Sequence, residues 1–109
     1  MKERLNITAG KIVSVNTSRE KGTPKEPSPE ITIDERGVQG DAHAGAWHRQ
    51  VSLLAIESIE RFSAECKRTF KHGEFAENIT TRGVDLTAVA LLDTLTIGPV
   101  ELEISQIGK

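Results

Sequence analysis

A length of 109 residues suits one domain spanning residues 1–109, and the hydrophobic share of 37%, about 45% once glycine is counted, is ordinary for a globular protein. A formal charge of -2 with both signs interspersed offers no basic stripe for nucleic acid, and no apolar run approaches the length of a bilayer span. The start Met1-Lys2-Glu3-Arg4 leads into no apolar signal segment, and a lone cysteine forms no internal disulfide, so the expected setting is reducing and cytoplasmic.

In chain order, Ile7 to Val15 is a β-branched run interrupted by Gly10, which predicts a strand with a bulge at the glycine. Asn16 to Glu30 is polar and carries Pro24, Pro27 and Pro29, which predicts a mobile surface loop with little to bury. Ile31 and Ile33 alternate with polar residues as a short strand, and the glycines from Gly37 to Gly45 predict irregular backbone. Val51 to Leu54 reads as a short buried strand. The period then changes: Ile56, Ile59, Phe62, Cys66 and Phe70 recur every three or four residues, which predicts an amphipathic helix over Ala55 to Phe70, closed by Gly73. Phe75 to Thr80 reads as a strand entering a Thr81-Arg82-Gly83 turn. Leu95 and Ile97, then Val100, Leu102 and Ile104, alternate with polar residues around Gly98-Pro99, the pattern of a β-hairpin. The expected fold is mostly β with one principal α-helix, as a small barrel or a curled sheet that the helix covers.

The polar stretch Gly40-Asp41-Ala42-His43-Ala44-Gly45, followed by Ala46-Trp47-His48-Arg49, is the densest candidate for chemistry. A loop bracketed by Gly40 and Gly45 lets backbone N–H groups approach an anion, and Arg49 could grip a phosphate or carboxylate through two parallel bonds. The same residues also suit a plain turn, with Asp41 as its cap and the histidines in solvent. Asp41, His43 and His48 lack the helical histidine pair or neighbouring cysteine of a zinc site, so no metal is assigned to them. In Gly73-Glu74-Phe75-Ala76-Glu77-Asn78, Asn78 either ties loop backbone together or meets a ligand, and Arg82 in the next turn could supplement an anion site. Cys66, on the apolar helix face, is expected to be buried and inert.

Taken in order, these stretches resemble the MOSC family, named for the C-terminal domain of molybdenum-cofactor sulfurase. The similarity is carried by Gly40 to Gly45, Arg49-Gln50-Val51-Ser52-Leu53-Leu54, Gly73 to Thr80, Gly83-Val84-Asp85-Leu86, Leu95-Thr96-Ile97-Gly98 and Leu102 to Gln106. The resemblance implies a β-barrel-like fold and an accessory role in molybdenum-cofactor metabolism, either binding molybdopterin or passing sulfur toward a metal centre. Joined to the residue reading above, it makes Gly40, Asp41, His43, Gly45, Arg49 and Asn78 the expected cofactor-binding residues, and it implies a cysteine desulfurase (the sulfurase) or a molybdoenzyme as partner. The pyridoxal phosphate of the parent sulfurases belongs to a separate desulfurase domain, so no such site is expected in 109 residues. In the family, a cysteine shortly after the strand matching Leu102 to Gln106 accepts sulfur or ligates molybdenum, whereas this sequence ends at Gly108-Lys109 without it. Two alternatives stay open beside cofactor binding: a non-catalytic protein-docking module and a small-anion-binding domain.

Overall fold

The computed structural model describes residues 4–6, 10–45, 50–86 and 90–107. Within them lie strands β1 (Arg4–Asn6), β2 (Lys11–Thr17), β3 (Glu26–Ser28), β4 (Ile33–Asp34), β5 (Gly37–Val38) and β6 (Leu53–Ala55). Helix α1 (Ile56–Cys66) follows, then β7 (Ile79–Arg82), β8 (Thr94–Ile97) and β9 (Val100–Glu103). The protein is thus mostly β with one helix, as the periodicity predicts. Among the described residues the strands do not close into a ring. They form a four-stranded sheet ordered β3-β2-β7-β6, a three-stranded sheet ordered β1-β8-β9, and the pair β4-β5. The β6–β7 and β1–β8 pairings are parallel, and the rest are antiparallel.

The four-stranded sheet carries the candidate site. Val15, Asn16 and Thr17 of β2 pair with Ser28, Pro27 and Glu26 of β3, so the proline-rich segment is not loop throughout. Pro27 is tolerated because β3 lies at the sheet edge, where a missing N–H interrupts no ladder between two neighbours. Nor is this stretch without buried groups: Asn16 is fully buried and Lys25 is 2% exposed. Strand β2 begins after Gly10, and its register against β7 slips between Ile12 and Ser14, which puts the irregularity beyond the glycine. Gly10 instead permits a close approach, since a Cβ there would meet a Val84 methyl at 2.2 Å.

Strand β7 starts at Ile79 rather than Phe75, and Thr81 and Arg82 belong to it. Its residues Ile79, Thr80 and Thr81 are buried between β2 and β6. Among the described residues the core comprises Val38, Ile56, Ile59, Ile79 and Leu95. The terminal hairpin follows its alternation: Leu95 opposes Leu102, Ile97 opposes Val100, and Glu101 and Glu103 face water.

Helix α1 has 11 residues and stops four residues short of the expected Phe70. Lys67, not Gly73, takes the left-handed conformation that ends it (φ 54°, ψ 43°), and its N–H bonds the Ser63 carbonyl. Only Ile56 and Ile59 are buried on the helix. Phe62 turns to a local aromatic cluster instead, with ring centroids 5.4 Å from Phe70 and 6.0 Å from Phe75. This leaves Cys66 exposed, contrary to the expectation of burial: the cluster gathers beside the helix and does not cover its last turn.

Candidate functional site

Two sequence clusters about thirty residues apart meet at the Asp41 carboxylate. Strand β5 ends at Val38, and Gly40 (φ 78°) turns the chain so that Asp41 points inward, its side chain fully shielded from solvent. A carboxylate removed from water needs charge and hydrogen bonds in return. Lys25 supplies the charge: its Nζ lies 2.8 Å from Oδ1 and 3.0 Å from Oδ2, and its side chain is equally shielded. The Ser18 N–H donates to Oδ1 at 2.9 Å and the His43 N–H to Oδ2 at 3.1 Å. Burial pushes the Asp41 carboxyl up, but the bonds from Lys25, Ser18, His43 and the Asn78 side chain outweigh it. The group is held below its ordinary value.

His43 sits on this pair. Its Nδ1 lies 3.1 Å from the Lys25 Nζ, and its side chain remains 28% exposed, so the imidazole joins the buried charges to the surface. The loop backbone behaves differently from the expectation. The N–H groups of Asp41, Ala42, Ala44 and Gly45 donate to the carbonyls of Val38, Ser18, Asp41 and Arg36, and that of His43 to the Asp41 carboxylate. These donors hold the loop in shape and are not presented to an anion. Gly40 has open space where a Cβ would stand, so its role is the turn itself.

Asn78 belongs to the frame. Its Oδ1 accepts the Ser52 N–H at 3.1 Å, its Nδ2 donates to the Asn16 carbonyl at 3.1 Å, and its own carbonyl accepts the Asn16 N–H at 2.7 Å. Asn78 therefore ties β2 to the segment entering β6, while its side chain also reaches Asp41. Glu77, 2% exposed, accepts through Oε2 from the Gly73 N–H at 3.1 Å and from Thr80 at 2.8 Å. Its Oε1 is buried with no hydrogen-bond partner among the described residues. Gly73 (φ 84°) passes directly over Lys25, whose N–H donates to the Gly73 carbonyl at 2.7 Å; a Cβ on Gly73 would lie 2.2 Å from the Lys25 carbonyl oxygen.

Among the expected site residues, Asp41, His43 and Asn78 are thus brought together. Gly40 and Gly45 shape the loop, and Arg49, with Trp47 and His48, lies outside the described residues. Arg82 pairs with Glu60 at 3.1 Å beside the helix. Lys25 is the residue that sequence reasoning missed. The only available signal was that a buried aspartate demands a cation, and that demand does not say which of the basic residues answers it.

No helix among the described residues is long and apolar enough to cross a membrane. A search of curated proteins gave no match. Among solved structures, the crystal structure of the YuaD protein from Bacillus subtilis is similar, with a TM-score of 0.66 at 19% sequence identity. That similarity covers 76% of this chain and 57% of YuaD, so the chain spans a little over half of that protein's length. A family model described as the MOSC domain matches residues 40–107, a stretch that begins at the Gly40 turn and takes in α1, β7 and the terminal hairpin. The chain belongs to the MOSC domain family.

Proposed function

We propose that this chain is an accessory module of molybdenum-cofactor metabolism, and that the stretch from Gly40 to Arg49 binds the anionic part of molybdopterin. The family is associated with molybdenum-cofactor sulfurase-type function, and the observation that carries the reading is His43. It is a partly exposed imidazole held against a fully shielded Lys25–Asp41 pair, at the start of the family-matched segment. Keeping that pair out of water is costly, which supports a use for the side chain it holds in place.

In this proposal His43 and Arg49 touch the ligand, Arg49 as a two-pronged partner for phosphate. Asp41 and Asn78 keep the loop in place, and Gly40 and Gly45 set its path. The fit to the cofactor lies in these side chains, because the N–H groups from Asp41 to Gly45 are already engaged. When bound, the cofactor supplies a metal centre for sulfur or oxygen exchange; the chain's residues bind and orient it. The proposal assigns no sulfur-carrying step to the loop, which holds no thiol. A desulfurase or a molybdoenzyme is the partner class that such a module serves.

The test has two arms. Purified protein is oxidised to convert any retained molybdopterin to its fluorescent pterin, and binding of molybdopterin is compared for wild type and Arg49→Ala. Loss of the charge-assisted bonds, roughly 1.5–3 kcal/mol, corresponds to about one to two decades in affinity. Equal binding by both proteins removes the proposed site.

A docking module is the second reading, favoured by a cavity of about 490 Å³ beside α1, lined by Ile56, Ile59, Ala64 and Phe70 with Lys67 and Arg68. Failure of both binding arms with the fold intact leaves that reading ahead.

A further inference from the structure

We infer that Lys25 is a positioning residue that fixes His43 as its neutral Nε2–H tautomer, so that His43 meets a ligand as a hydrogen-bond donor to oxygen. The argument is a count of protons. A lysine ammonium has three N–H donors and no acceptor. The Lys25 Nζ has three oxygen acceptors in reach, Asp41 Oδ1 at 2.8 Å, Asp41 Oδ2 at 3.0 Å and Ser18 Oγ at 3.1 Å, and it also faces His43 Nδ1 at 3.1 Å. The two carboxylate oxygens share one proton, the serine takes the second, and His43 Nδ1 takes the third. A proton on Nδ1 would set donor against donor at 3.1 Å, and the one carboxylate oxygen that could accept it, Asp41 Oδ2, is 3.7 Å away, beyond hydrogen-bond distance. The ring therefore keeps its lone pair on Nδ1 and its proton on Nε2.

A neutral Nε2–H selects hydrogen-bond-accepting oxygen and rejects donors, because a site built for one polarity leaves the other unpaired. The acceptor class is an oxyanion or carbonyl oxygen, such as a phosphate or a pterin carbonyl. The tautomer rests on this chain's geometry alone, while its use toward a ligand rests on the proposed function above.

The test is the long-range proton–nitrogen correlation spectrum of 15N-labelled protein at pH 7, with the His43 signals assigned by their loss in His43→Gln. The expected pattern for His43 is a bare Nδ1 and a protonated Nε2. A protonated Nδ1, in either a neutral or a cationic ring, overturns the inference. In Lys25→Met/Asp41→Asn, which removes both buried charges together so that neither is left unpaired, a fraction of Nδ1–H should appear; an unchanged pattern means that Lys25 does not set the tautomer. If Lys25→Met/Asp41→Asn does not fold, Lys25→Arg, which keeps donors and charge, should retain the Nε2–H pattern, and its loss overturns the inference. Titration with inorganic phosphate should shift the Nε2 signal. A wild-type Nε2–H pattern with no phosphate shift keeps the tautomer and overturns its use toward oxyanions.

Discussion

Lys25 and Asp41 are opposite charges taken wholly out of water, so each is tolerable only while the other is present. Replacing Lys25 by Met should lower unfolding stability by about 3–5 kcal/mol, because the carboxylate stays buried without its cation. Denaturant unfolding of the variant measures this. The pair also sets an acid dependence. The folded carboxyl lies below its ordinary value of 3.8, so its stabilisation is complete above that value and is lost as pH falls through the lower, folded one. The stability gap between wild type and Asp41→Asn should therefore be constant near neutrality and close below about pH 4. A gap unchanged down to pH 2 would show that the carboxylate carries no net stabilisation. Gly73 and Gly22 offer a controlled comparison, since both have positive φ (84° and 79°) but only Gly73 has backbone where a Cβ would go. Gly22→Ala should cost about 1–2 kcal/mol of backbone strain, and Gly73→Ala clearly more, read from thermal unfolding of the two variants. Part of the candidate site's geometry was legible at this scale: the Gly40 turn, Asp41, His43 and Asn78 all stand where polar residues cluster in the sequence. Lys25 was not, because its pairing with Asp41 is made by the strand pairing of β2 with β3, which no local pattern announces.

Helix α1 shows how far periodicity reaches among the elements. The recurrence of Ile56, Ile59 and Phe62 identifies a helix and its apolar stripe, but it does not say what covers the stripe. Ile56 and Ile59 are buried on the helix that packs on β6 and β7, and the aromatic rings of Phe70 and Phe75 gather at Phe62. Cys66, one turn further on, is left in solvent. A thiol reagent should accordingly label native protein at a rate near that of the denatured chain; slow labelling that accelerates on denaturation would restore the buried placement. Strand β3 was missed for a related reason. Proline argues against strand wherever both sides of the backbone must pair, and Glu26–Ser28 pairs on one side only. The hairpin of β8 and β9 was legible because both of its signals are local: alternation along each strand, and glycine with proline at the turn.

At the scale of the molecule, protection should follow the sheet order. Strands β2 and β7 lie inside the four-stranded sheet, whereas β4 and β5 share a pairing only two residues long. Amide exchange should be slowest in Ile79 to Thr81 and in the β2 residues facing them, and should approach solvent rates in β4. Uniform exchange across both regions would contradict this order. The parallel pairing of β1 with β8 has a consequence of another kind. Arg4 opposes Thr94 and Asn6 opposes Thr96, so the partners are separated by about ninety residues of chain. A ribosome adding roughly 5–20 residues per second delivers the first strand on the order of ten seconds before the second exists. Throughout that interval β1 waits without its neighbour, while β2 and β3 already have each other. The three-stranded sheet is therefore completed later in synthesis than the four-stranded one.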